Sequence, residues 1–101
     1  MLDIKYLPSF QQELNAIVEY VASTLKAPRA ALNLLNELEK AIDNLKVFPL
    51  AHRLYRPNKP ILTEYRVLSV KNHLIFYVVL ENVIEIHRII YKKRNLSQLI
   101  R

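Results

Sequence analysis

Leu62 to Tyr91 reads LTEYRVLSVKNHLIFYVVLENVIEIHRIIY, and this stretch decides the fold. Three apolar runs, about Leu62 to Val70, Leu74 to Leu80 and Val83 to Tyr91, are separated by Lys71-Asn72 and Glu81-Asn82. Intervals that short leave room only for tight hairpins, with an Asn in each able to take a positive φ. The expectation is a three-stranded antiparallel meander. The two-residue period of a strand puts Val83, Glu85, His87, Ile89, Tyr91 and Lys93 on one side and Ile84, Ile86, Arg88, Ile90 and Lys92 on the other. The isoleucine side is expected to meet the rest of the chain. Glu85, His87, Tyr91 and Lys93 then line an open face, and Arg88 must reach an edge or a carboxylate. The last run continues into Tyr91-Lys92-Lys93-Arg94-Asn95, so the sheet delivers a rigidly placed basic patch.

Upstream, Leu2, Ile4 and Tyr6 alternate with Asp3 and Lys5, a short strand ended by Pro8. Ser9 has the character of a helix N-cap, with Gln12 at capping-box spacing. The helix that follows carries Phe10, Leu14, Ile17, Val18, Val21 and Leu25 on one face. Lys26-Ala27-Pro28 breaks it, and Pro28 suits the first turn of the next helix, where its missing N–H costs nothing. The second helix, about Pro28 to Lys46, repeats the stripe with Ala31, Leu34, Leu35, Leu38, Ile42 and Leu45. So short a connection makes the two helices an antiparallel hairpin. Val47 to Pro60 contains Pro49, Pro57 and Pro60 and reads as an irregular basic loop with His52, Arg53, Arg56 and Lys59. Leu96, Leu99 and Ile100 suggest a short C-terminal helical turn. The expected class is α+β in the order β-α-α-β-β-β, with the N-terminal strand and helical hairpin on one face of an antiparallel sheet.

The 101 residues support one domain, 1–101, with one core. With no Cys there are no disulfides, thiolate metal sites or cysteine nucleophiles, and the cytoplasm is the expected compartment. With no Gly there is no glycine-rich phosphate cradle. Met1 to Lys5 lacks a basic segment leading into an apolar one, and Leu74 to Leu80 is too short to span a bilayer, so neither secretion nor membrane insertion is expected. Net charge is +6, but residues 1–45 carry −2 and residues 46–101 carry +8. That asymmetry points to an anionic partner, nucleic acid or an acidic protein segment; the plainer alternative is a basic surface kept for solubility.

His52, His73 and His87 have no metal-ligand spacing, and no metal or cofactor is expected. His87, on the expected open face beside Glu85, could donate or accept a proton near neutral pH; the plainer reading is a surface histidine paired with Glu85. No serine, histidine and acid arrangement is suggested by position. Arg66, Lys71, Arg88, Lys92, Lys93 and Arg94 are cations able to bind phosphate or stabilise charge on a phosphorane. Tyr65, Tyr77 and Tyr91 lie among them and could stack on bases, although Tyr77, inside an apolar run, is expected to pack.

Nearly the whole chain resembles the RelE/ParE superfamily of toxins from bacterial type II toxin–antitoxin modules, and is closer to ParE. The resemblance rests on an early helix with Leu14, Ile17 and Tyr20 and a second with Ala30, Ala31, Leu34, Leu38, Ile42 and Leu45. Phe48-Pro49, Tyr65-Arg66-Val67-Leu68, Ile75-Phe76-Tyr77, Ile84 to Tyr91 and Lys92-Lys93-Arg94-Asn95 follow in family order. It implies one of two targets, the ribosome with its mRNA or DNA gyrase. For a ribosome-dependent mRNA endonuclease, Arg66 and Lys93 match basic positions of the site and His87 would join them as catalytic. Leu68, Leu74 and Leu99, however, stand where that site has a lysine, an arginine and a tyrosine. For a gyrase inhibitor, Arg88, Tyr91, Lys92, Lys93, Arg94, Asn95 and Leu99 are the expected target-binding residues. The resemblance further implies a cytoplasmic hetero-oligomer with a cognate antitoxin, whose acidic, amphipathic tail would meet Leu74, Phe76 and Arg66, and a role in plasmid stabilisation. A basic nucleic-acid-binding domain without toxicity is the remaining reading.

Overall fold

The chain runs β1 (Asp3–Tyr6), α1 (Pro8–Glu19), a π-helical turn (Tyr20–Thr24), α2 (Pro28–Leu45), β2 (Arg66–Val70), β3 (His73–Val79) and β4 (Val83–Tyr91), in a computed structural model that describes residues 2–57 and 60–93. The four strands form one sheet in the order β1-β4-β3-β2. β3 pairs antiparallel with both neighbours, as the meander requires, whereas β1 runs parallel to β4 and makes the sheet mixed. The helical hairpin carries the chain from β1 at one edge of the sheet to β2 at the other. The expected C-terminal turn with Leu96, Leu99 and Ile100 lies outside the described residues.

α1 lies over β4 and α2 reaches β2. Ala31, Leu34, Leu38, Ile42 and Leu45 of α2 are buried, as their spacing predicts. Phe10, Leu34, Leu38, Ile42 and Leu45 pack on Leu68, Val70, Ile75, Tyr77, Ile84, Ile86 and Ile89 of the sheet. Each such side chain contributes roughly 1.5–3 kcal/mol by leaving water. Tyr77 is fully buried and its hydroxyl donates to the Pro49 carbonyl at 2.9 Å, so it packs, and burial pushes its pKa up.

Several local expectations are corrected. Pro8, not a residue after Ser9, opens α1; Leu7 is the N-cap and no side chain caps the helix. The Leu7 N–H is occupied by Ile86 O at 3.0 Å, prolonging the β1–β4 ladder, and the Ser9 hydroxyl donates to His87 O at 2.6 Å. The first helix ends in the π-helical turn, and Leu25 just beyond it is 55% exposed instead of buried. Positive φ falls on Lys26 and Lys71, both at 53°, and not on either turn asparagine. β2 starts at Arg66, and Leu62 stands in solvent.

The far face of the sheet is not bare. Val67, Leu74, Phe76 and Ile90 form a second apolar cluster beneath Tyr55, Ile61 and Tyr65. Tyr55 and Tyr65 meet the Phe76 ring edge-on, with centroids 5.1 and 6.0 Å away. The covering loop is stitched to β2 by Val67 N–H to Arg53 O (3.0 Å) and Tyr55 N–H to Tyr65 O (2.8 Å). β3, the most apolar strand, is internal to the sheet and exposes no edge.

Candidate functional site

A β-bulge in β4 organises the candidate site. Phe76 pairs with Arg88 and Tyr77 with Ile86, which leaves His87 as an extra residue. Alternation is broken there. Ile84 and Ile86 face the helices as expected, but beyond the bulge Ile89 faces them and Ile90 turns to the second cluster. Tyr91 pairs with His73 and lies on the helix side, away from His87. A strict two-residue period has no means of anticipating the inserted residue.

Glu85 and His87 do share a face. His87 Nε2 lies 3.1 Å from Glu85 Oε1, and Nδ1 lies 3.1 Å from the Tyr65 hydroxyl. A carboxylate only accepts, so Nε2–H donates to Glu85, and Nδ1 shares a hydrogen bond with the Tyr65 hydroxyl. Burial first, with Glu85 adding to it, raises the Tyr65 pKa against the lowering effect of Arg88, so the phenol keeps its proton. The His87 and Tyr65 rings meet edge-on at 5.2 Å. Tyr65 thereby fastens the loop to the sheet.

Arg88 reaches both an edge and a carboxylate. Its Nε and one terminal nitrogen donate to the two oxygens of Glu13 at 2.9 and 2.7 Å, and the Ile89 N–H donates to the same carboxylate at 3.2 Å. This bidentate hydrogen bonding is the main reason the Arg88 pKa is raised. Glu13 was not anticipated. The available signal was an acid beside the Phe10, Leu14 and Ile17 stripe of α1, opposite a strand arginine that needed a carboxylate.

The remaining candidates are scattered. Arg66 lies opposite Tyr77 and donates to the His52 carbonyl at 2.8 Å, on the helix side of the sheet and away from His87. Lys92 and Lys93 are exposed just beyond β4, where the Lys92 N–H donates to Asn72 O at 3.0 Å. Leu74 and Phe76 are 8% and 0% exposed, so an antitoxin would have to displace the Tyr55 and Tyr65 cover to touch them. Arg94, Asn95 and Leu99 lie outside the described residues. Phosphoryl chemistry needs several cations converging on one phosphate. Here Arg66 is on the opposite face, Arg88 is neutralised by Glu13, and both His87 nitrogens are engaged.

Sequence reading also passed over an apolar cleft of about 590 Å³ at the tip of the helical hairpin, lined by Ile17, Tyr20, Val21, Leu25, His73 and Tyr91. Tyr20 and Tyr91 are 53% and 40% exposed. Exposed aromatic surface of this kind is characteristic of a binding face. Among the described residues no group of three or more His, Asp or Glu could hold a metal, and no helix is long and apolar enough to cross a membrane.

Residues 4–96 match the family model described as the ParE toxin of the type II toxin–antitoxin system parDE. No curated protein sequence matches the chain. Among solved structures, it is similar to a chain of a chromosomal ParDE toxin–antitoxin system from P. aeruginosa, with TM-score 0.69 and 19% identity over 90% of this chain and 96% of that one. It is also similar to YafQ from E. coli strain BL21(DE3), with TM-score 0.55 and 18% identity over 91% of this chain and 94% of that one. A variant of E. coli YafQ gives TM-score 0.58 at 16% identity, again over 91% and 94%. Likenesses at these identities establish a shared fold.

Proposed function

The chain belongs to the ParE toxin family of type II toxin–antitoxin systems, and from that premise we propose that it arrests growth by binding and inhibiting DNA gyrase. Family membership implies an antitoxin partner. In this reading the partner is a cognate antitoxin with an acidic, amphipathic tail, the pair acts in the cytoplasm, and the module stabilises the replicon that carries it. The tail would lay its apolar side in the cleft at the hairpin tip and its acids against the +8 of residues 46–101. Lys92 and Lys93, exposed beyond β4, belong to the gyrase-contacting surface, together with Arg94, Asn95 and Leu99.

One observation carries the choice of target: Arg66 and His87 occupy opposite sides of the sheet. A nuclease centre built from Arg66, His87 and Lys93 would need them around one phosphate. The runner-up, mRNA cleavage on the ribosome, draws support from the ordered Tyr65–His87–Glu85 chain, which could relay a proton. Purified chain assayed against gyrase supercoiling and against mRNA on translating ribosomes separates the two. The expected result is lost supercoiling, with Lys92→Glu and Lys93→Glu weakening inhibition about tenfold or more, as removal of charge pairs at an interface does. Intact supercoiling with codon-linked mRNA cuts abolished by His87→Gln would replace the gyrase reading with the nuclease one.

A further inference from the structure

β1 forms one edge of the sheet, and its backbone directions are fixed. Asp3 N–H donates to Asn82 O at 3.4 Å and Leu7 N–H to Ile86 O at 3.0 Å. The odd residues therefore turn their backbone groups toward β4, and alternation turns those of Ile4 and Tyr6 outward. Among the described residues no strand pairs with that outer edge. Exposed edges are commonly blunted by proline, a bulge or a lone charge. β1 has neither proline nor bulge, and its two charges, Asp3 and Lys5, are of opposite sign and lie on the face shared with Glu85.

We propose that β1 is a self-association edge, on which a second copy of this chain lays its own β1 antiparallel, with the two-fold axis at Ile4. The register follows from two independent constraints. Outward-facing backbone groups must meet outward-facing ones, so Ile4 meets Ile4 and Leu2 meets Tyr6 of the second copy. In that register Asp3 of each copy stands directly opposite Lys5 of the other, twice over. Centring the axis on Lys5 instead would set like charges face to face and bring inward-turned groups together.

On the helix side, an open groove of about 460 Å³ lies against β1, lined by Leu2, Asp3, Ile4, Tyr6, Asp43 and Lys46. It is positioned to take the Tyr6 ring of the second copy, which is 43% exposed in the single chain and adds apolar area to the short strand pairing. The result is an isologous dimer with one eight-stranded sheet, four strands from each copy.

Sedimentation velocity of the full-length chain across a concentration series tests this, alongside amide hydrogen exchange of Ile4 and Tyr6. The expected result is a reversible monomer–dimer equilibrium in which those two amides gain protection as concentration rises. Lys5→Asp should raise the dissociation constant roughly tenfold, because two attractive cross-strand pairs become repulsive. The swap Asp3→Lys with Lys5→Asp should restore it to within about threefold of the starting value, since the same pairs re-form with signs exchanged. A monomer at every concentration overturns the proposal. So does a dimer indifferent to Lys5→Asp, and so does protection of Ile4 and Tyr6 that arises only when an acidic partner protein is added.

Discussion

Two lysines occupy left-handed backbone in a chain that contains no glycine. A side chain at positive φ costs on the order of 1–2 kcal/mol, and part of any relief by glycine is returned as unfolded-state entropy. Lys71→Gly is therefore expected to stabilise by about 0.5–1 kcal/mol, a rise of several degrees in a thermal melt for a domain of this size. No change, or a fall, would mean that the lysine side chain compensates for its own backbone. His73 presents the opposite situation, because its Nδ1 is buried without a hydrogen-bond partner and burial lowers its pKa below 6.5. As pH falls through about 6.5 the unfolded chain takes up a proton that folded His73 resists, so this residue subtracts stability on the acid side. His73→Gln should flatten the loss of urea midpoint between about pH 6.5 and 5 relative to the unmodified chain. Parallel slopes for the two proteins would exclude His73 as the cause.

At the level of elements, α1 is fastened to the half of β4 that extends past β1. Ser9 takes the His87 carbonyl, and Glu13 takes the Ile89 N–H and the Arg88 guanidinium. These bonds substitute for a missing strand neighbour. Glu13→Ala removes the acceptor of the Ile89 N–H and the carboxylate facing Arg88 in a half-buried setting, which should cost about 1–3 kcal/mol by denaturant titration. A loss below about 0.5 kcal/mol, the scale of an exposed ion pair, would show that water satisfies both groups. The element boundaries were legible wherever a repeat was regular. α2 buries Ala31, Leu34, Leu38, Ile42 and Leu45 of the stripe its spacing named, leaves Leu35 half-buried, and is opened by Pro28. They were illegible where another group competed or the helix changed its winding: Ser9 lost its capping role to a strand carbonyl, and the first helix ends in a π-helical turn beyond which Leu25 stays exposed.

For the molecule as a whole, the decisive difference from a simple two-layer fold is the loop between α2 and β2. It lays Tyr55, Ile61 and Tyr65 over the second face, so Phe76 belongs to a core and not to an open surface. Phe76→Ala should accordingly cost about 3–5 kcal/mol, much of the stability such a domain has, and shift a chemical denaturation midpoint strongly. A cost under about 1 kcal/mol would mean that the loop leaves this face open. The sequence alone determined the α+β class, the order of elements, the meander and the likeness to the RelE/ParE toxins nearer ParE, because hydrophobic period, short turns and prolines act within a few residues of each other. The pairing of Glu85 with His87 was legible for the same reason. Only the tertiary structure decided the parallel placement of β1, the bulge that reverses Ile89 and Ile90, the Glu13–Arg88 pair and the separation of Arg66 from His87. Each depends on contacts between segments distant along the chain, where one inserted residue or one covering loop redirects side chains that local spacing would place otherwise.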